Sequence, residues 1–173
     1  MYSYELRVPK ERIAVVIGKK GFTRRQLEKL TKTKIEVDSE DGRVTISGES
    51  IDVYNARLVI QAIGRGFNPE IAKCLCDDTN CLEVVNIQDF AGKSKKKMFR
   101  LKSRVIGSKG KAWKSIETLT HTRISVYGKT VCIIGKVDHV LIAREAVENI
   151  LKGAPHGPVY KWLEGKRHTR KWT

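Results

Sequence analysis

Two short stretches stand out for the chemistry they could support: Val16-Ile17-Gly18-Lys19-Lys20-Gly21 and Val105-Ile106-Gly107-Ser108-Lys109-Gly110. Two glycines bracketing two residues let a backbone turn sharply and approach another backbone with no Cβ in the way. In both copies the following residues read as a helix. The loop would then lie at a helix N-terminus, where open N–H groups and the positive end of the dipole attract an anion. Lys19 and Lys20 in the first copy and Lys109 in the second add charge suited to a phosphate. A nucleotide-binding P-loop is excluded by spacing: neither Gly18-Lys19-Lys20-Gly21-Phe22 nor Gly107-Ser108-Lys109-Gly110-Lys111 supplies Gly-x-x-x-x-Gly-Lys-Ser/Thr.

Catalytic constellations are missing. His121, His139, His156 and His168 are scattered along the sequence without a carboxylate cluster, so no nucleophile–base pair is nominated and no enzyme is expected. Cys74, Cys76 and Cys81 form C-x-C-x4-C, without the second pair or histidines of a structural zinc site. No metal or other cofactor is expected. Ile71, Cys74 and Leu75 share one face of a short helix begun by Asn68-Pro69, which predicts buried, inert thiols. Cys132, between Val131 and Ile133, reads as a small sheet residue.

The 173 residues carry 34 Lys and Arg against 19 Asp and Glu, a net charge of +15. That excess calls for a polyanion, and it is unevenly spread. Residues 1–66 are net +4, 67–90 net −4, 91–154 net +11 and 155–173 net +4. The second half is the electrostatic centre. No apolar run is long enough for a membrane span, and MYSYELRVPKER lacks the apolar core of a signal peptide. The few cysteines suit a reducing cytosol.

The two glycine loops sit in a longer repeat. Residues 15–37 and 104–126, at an offset of 89, share 11 identities in 23 positions, including Glu28 and Glu117, Thr31 and Thr120, Thr33 and Thr122. After the next turn the offset falls to 87, and Gly48 matches Gly135. Each copy predicts the same elements: a strand (Tyr4–Val8, Leu82–Ile87), a helical segment, the glycine loop, and a helix (22–32 in the first copy, with Leu27 and Leu30 on one face). A hairpin follows, Lys34–Asp38 with Arg43–Ser47 and Arg123–Tyr127 with Thr130–Ile134, alternating at period 2. The second hairpin turns on Gly128-Lys129, a glycine-first pair. Val53, Ala56, Ile60 and Ile63, and again Val140, Ala143, Val147 and Ile150, form the apolar stripe of a final helix. Gly92-Lys93-Ser94-Lys95-Lys96-Lys97 reads as a basic loop with no counterpart in the first copy, and Val159–Leu163 as a short docked helix before a frayed basic end, 166–172.

Strand, helix, Gly-x-x-Gly, helix, strand, strand, helix resembles the K-homology (KH) domain of type I. The resemblance implies an α+β chain of two KH domains, 1–66 and 82–154, each a three-stranded antiparallel sheet covered by three helices. A connecting helix (67–81) and a basic tail (155–173) complete it. KH domains clamp about four single-stranded nucleotides along the glycine loop, with bases over an apolar groove. Carried over, Gly18, Lys19, Lys20 and Gly21, and Gly107, Ser108, Lys109 and Gly110, would bind RNA, with Ile17, Ile35, Ile106 and Ile124 flooring the grooves. Arg24, Arg25, Arg100, Lys102, Arg104, Lys111 and Lys114 would surround the phosphates. Trp113, which replaces Arg24 of the first copy, would stack on a base or anchor a partner.

Over a longer span, Arg100–Gly107, Ile124–Val131 and Gly153-Ala154-Pro155-His156-Gly157-Pro158-Val159-Tyr160 resemble the partner-of-Nob family, tandem KH factors of small-subunit ribosome assembly. The resemblance implies single-stranded RNA as partner, namely small-subunit ribosomal RNA near its immature 3′ end. It further implies a neighbouring ribosome-assembly endonuclease and other assembly or translation factors. The intact first glycine loop points to an archaeal type, acting in the cytoplasm. The alternatives are a general KH regulator or RNA-degradation subunit, and a protein–protein scaffold.

Overall fold

Apolar stripes and alternating strands assemble as the repeat predicts, once in each half. The structure is a computed structural model, and it describes residues 1–169. The chain divides into two compact units, Met1–Asn80 and the residues from Cys81 onward. The first unit runs β1 (Tyr2–Arg7), α1 (Lys10–Ile17), α2 (Phe22–Thr31), β2 (Lys34–Asp38), β3 (Arg43–Gly48) and α3 (Ser50–Gly64). Then comes α4 (Pro69–Ala72), continued by a 3-10 turn at Lys73–Cys76. Its sheet is antiparallel with the order β1-β3-β2, and Ile46 faces both Tyr4 and Ile35. Val16, Leu27, Ile35, Ile46, Ile60 and Ile63 close the core between sheet and helices.

The second unit has β4 (Asn80–Asn86), α5 (Gln88–Ala91), α6 (Lys95–Ile106), α7 (Lys111–Thr120), β5 (Arg123–Tyr127), β6 (Thr130–Lys136), α8 (Val137–Leu151) and α9 (His156–Thr169). Its sheet order is β4-β6-β5, with Ile124 opposite Ile133 across the hairpin. Gly128 takes φ +55°, the left-handed conformation that a glycine-first turn needs. The fold class is α+β, with a three-stranded sheet and helices in each unit.

The repeated threonines have a clear job. Thr31 Oγ1 donates to Leu27 O and meets Thr33 Oγ1 at 2.7 Å, and Thr120 and Thr122 repeat the pair at 2.8 Å. All four are buried, so their hydroxyls are satisfied within the turn that leads from helix to edge strand.

Several expectations are corrected. Lys95–Lys97 are helix, and the loop is confined to residues 92–94: Ser94 caps α6 by accepting from the Lys97 N–H at 3.1 Å, and α6 has 12 residues where α1 has 8. Leu30 is 49% exposed, beside Gln26, Lys29 and Lys73. Its counterpart Leu119 packs against the second core, with Tyr160 of α9. Cys74 is exposed, since the 3-10 turn aims Leu75 inward instead. Burial pushes the Cys76 and Cys81 thiols above their ordinary value, which keeps them protonated, and Cys132 is buried in its strand. The tail helix is longer than expected, 14 residues anchored by buried Val159 and Leu163, and it stays helical through Lys166 and Arg167 to Thr169. Arg170, Lys171 and Trp172 of the expected frayed end lie outside the described residues.

Candidate nucleic-acid interface

Each glycine loop joins two helices that bury one face each. Gly18 and Gly107 have φ/ψ of 73°/175° and 74°/176°, and Gly21 and Gly110 have 75°/13° and 74°/13°. Between them Lys20 and Lys109 sit in the left-handed region at φ 53° and 54°. A left-handed lysine costs about 1–2 kcal/mol. Two copies of such strain in one geometry mark a loop built for a task.

The glycines differ in what surrounds them. A Cβ on Gly107 would lie 2.6 Å from Ala112 Cβ and 2.8 Å from its N, and one on Gly18 would lie 2.7 Å from Thr23 N. These first glycines pack against the helix that follows. Gly110 has only Lys114 Cε at 3.8 Å, so its outer face is open to a ligand backbone.

Glu28 and Glu117 fasten the edge strands. Glu28 Oε1 accepts from Ile35 N–H at 2.8 Å, and Glu117 Oε1 from Ile124 N–H at 3.3 Å, which ties each edge strand to the loop's helix. Burial pushes the Glu117 carboxyl above its usual value. The Ile124 N–H, Arg123, the Trp113 indole and Lys114 work against that rise. Trp113 is half-buried and hydrogen-bonded to Glu117, and Arg24, its counterpart in the first unit, bonds Ile35 O at 3.1 Å.

The structure sorts the expected contacts. Lys19, Lys20, Ser108, Lys109, Lys111 and Lys114 are exposed, and no ion pair engages these lysines among the described residues. Ile17 and Ile106 are half-buried beside the loops. Ile35 and Ile124 are not groove floor but core, at 0% and 5% exposure. Arg25 donates to Lys20 O at 2.7 Å and so pins the first loop. Lys114 stands at the equivalent position in the second unit.

Arg104 is the clearest correction. Its guanidinium donates to Ile150 O at 2.6 Å and Ala154 O at 2.7 Å, closing the end of α8. Arg12 does the same in the first unit, to Ile63 O and Phe67 O, carbonyls exactly one repeat earlier in the fold. Lys102 shares a face of α6 with Ile106, one turn apart, whereas Arg100 shares its face with Arg104, away from the loop.

Three features escaped sequence reasoning. Phe22, directly after Gly21, is 56% exposed, where the second unit has Lys111. Phe99, on the Lys102 face, is 75% exposed, and its signal was an apolar residue off the Leu101–Val105 stripe. Helix α9 brings Tyr160 and Glu164 beside Lys111 and Lys114 around an open depression of about 490 Å³. His121 and His139, scattered in sequence, are 6.0 Å apart, and burial and then His121 hold the His139 imidazole below its ordinary value. Among the described residues there is no metal-ligating cluster and no helix long and apolar enough to cross a membrane.

Comparison with known proteins agrees with this geometry. Residues 3–62 match the family described as KH domain, and 81–168 match that described as eukaryotic type KH-domain (KH-domain type I). A KH domain-containing protein of Methanocaldococcus jannaschii, MJ0443, is 48% identical over 171 residues, covering 96% of this chain and 74% of that protein. The pre-rRNA-processing protein PNO1 of Candida albicans is 32% identical over 102 residues, covering 58% of this chain but 37% of that protein. A crystal structure of an a/eIF2alpha-aDim2p-rRNA complex from Pyrococcus horikoshii OT3 contains a chain 41% identical with a TM-score of 0.91, covering 98% of this chain and 96% of that one. With both halves matched as KH domains and relatives of such identity and coverage, the chain belongs to the Dim2/PNO1 family of tandem KH-domain proteins.

Proposed function

We propose that this chain is a non-catalytic factor of small-subunit ribosome assembly that binds single-stranded ribosomal RNA near the 3′ end, in the cytoplasm. The observation that carries the reading is the pair of glycine loops, alike to within a few degrees, each opening a helix beside exposed lysines. Residues 1–66 and 82–154 act as the two KH domains. Gly107–Gly110 with Lys111, Lys114 and Lys102 hold the phosphates of one segment, and Gly18–Gly21 hold another. The second unit contributes more charge, as its net +11 over 91–154 requires. Relatives described as pre-rRNA processing proteins, and one solved with rRNA and a translation factor, support the ribosomal assignment. An endonuclease that trims the 3′ end would act beside it.

The test is selection of bound RNA from a random pool, followed by competition with single strand, hairpin and duplex of one length. Enrichment of the small-subunit 3′ sequence as single strand is expected, because duplex geometry keeps base edges out of a narrow groove. Duplex binding as tight as single-strand binding would overturn the mechanism.

A further inference from the structure

The two units share one plan, so each is a control for the other, and one position breaks the match. Val8 N–H donates to Gly42 O and Ile87 N–H to Lys129 O, which aligns β1 with β4 and sets Tyr4 where the second unit has Glu83. The final helices align at an offset of 87, pairing Arg57 with Arg144 and Gln61 with Glu148. In the second unit the arginine is matched: Arg144 Nη1 donates to Glu83, and its Nε donates to Glu148 at 2.8 Å. In the first unit both carboxylates are gone. Arg57 lies over the rings of Tyr4 and Tyr54, 5.1 and 5.3 Å from their centroids, and its Nε is buried with no hydrogen-bond partner. Tyr2, Tyr4, Ser50, Val53 and Tyr54 surround it in a depression of about 230 Å³.

We propose that this depression docks a carboxylate side chain carried on an extended segment of a partner protein, which gives Arg57 the acidic partner that Glu83 and Glu148 give Arg144. β1 is an edge strand, so its outer row of N–H and C=O groups is open to an added strand. Half-exposed Tyr2 and Tyr54 supply rigid amphipathic walls of the kind that protein interfaces favour. The charge selects a carboxylate over a nucleic acid. One forked guanidinium matches one carboxylate, no lysine lines the depression, and Glu49 and Asp52 at the start of α3 oppose a phosphodiester chain. The depression is also at the opposite sheet edge from β2, which Arg24 joins to the loop's helix, so RNA in the groove leaves it free.

The test uses the full chain with labelled tyrosine and arginine side chains, observed by NMR. Three probes are added: blocked pentapeptides with Glu fixed at the centre between Thr, Val and Ile, the same pool with Gln there, and oligouridylate. The Glu pool should shift the Tyr4, Tyr54 and Arg57 signals, and the Gln pool should bind roughly tenfold more weakly, as expected for loss of a charge-assisted bidentate pair. Tyr4→Glu, which supplies the carboxylate in cis as Glu83 does, should abolish the response while RNA affinity is unchanged. Arg57→Gln should abolish it too, independently of how Tyr4→Glu folds. Equal responses to the Glu and Gln pools, no response to the Glu pool, or displacement of these signals by oligouridylate instead would each overturn the proposal.

Discussion

Replacing either glycine of the second loop by aspartate separates folding from binding, because the two positions differ in space and not in strain alone. At Gly107, ψ near 176° with φ +74° is a backbone state essentially restricted to glycine, and the new Cβ would press on Ala112 Cβ and N below 3 Å. Backbone strain of this kind costs about 1–3 kcal/mol before any steric term. In a domain of this size that lowers the melting temperature by roughly 4–8 °C per kcal/mol. At Gly110, φ/ψ of 74°/13° is ordinary left-handed helix, which aspartate tolerates at about 1 kcal/mol, and the nearest atom is the end of a flexible lysine. Gly110→Asp should therefore stay folded and place a negative charge where the proposed function puts a phosphate. At about 6 Å and an effective dielectric of roughly 40, the repulsion is about 1.4 kcal/mol, or roughly tenfold in affinity. All three tryptophans, Trp113, Trp162 and Trp172, lie beyond Cys81, so tryptophan fluorescence reports unfolding of the second unit alone. Fluorescence anisotropy with a labelled single strand reports binding. A Gly107→Asp protein that melts with the parent, or a Gly110→Asp protein that binds RNA unchanged, would refute the reasoning.

Alanine at Lys109, Lys111 or Lys114 should each lower the log–log salt slope of RNA affinity by about one, whereas Arg104→Ala should leave the slope alone and lower the melting temperature. Trp113→Ala should cost roughly 1–3 kcal/mol in RNA affinity with an unchanged salt slope, measured by the same titration, as base stacking requires. The folded protein resists protonating His139, while the unfolded chain takes that proton near the ordinary value of 6.5. Stability present above that pH should therefore fall as pH drops through it, and His139→Gln should flatten the decline in a pH series of melts. Glu117 has the opposite sign: its raised value means stability is lost as pH climbs from the ordinary 4.5 through the folded value. Glu117→Gln should thus raise the second unit's melting temperature at pH 7, with the gain vanishing near pH 4.

Much of the fold was legible in the sequence because its signals are local and doubled. A hairpin announces itself by alternation, and Val-Ile-Gly-x-x-Gly placed twice before matching threonines fixes both loop and helix. The site was legible only as far as position along one helix decides it. That Lys109 is exposed follows from the loop. That Arg104 turns to the carbonyls of Ile150 and Ala154, 46 and 50 residues on, needs the packing of α6 on α8. The groove-floor role of Ile124 comes from the resemblance alone, and period 2 tells only which side faces the helices, not how deeply they cover it. Helix α9 was underestimated because its polar residues after Leu163 carry no stripe, and the contact with α7 is what sustains it.

The sameness of the two loops has a consequence for how a strand is chosen. One backbone template presents different side chains, Lys19 against Ser108, Phe22 against Lys111, Arg25 against Lys114. Under the proposed function, one chain then carries two RNA readers. When a strand fills the first, the nucleotides in between tether the rest of it near the second, and the next binding event becomes intramolecular. Avidity of this sort multiplies affinity by about 10²–10⁴ without any new contact, but only when the tether spans the gap. The separation of two short segments along the RNA thereby becomes as much a part of the message as the bases within them.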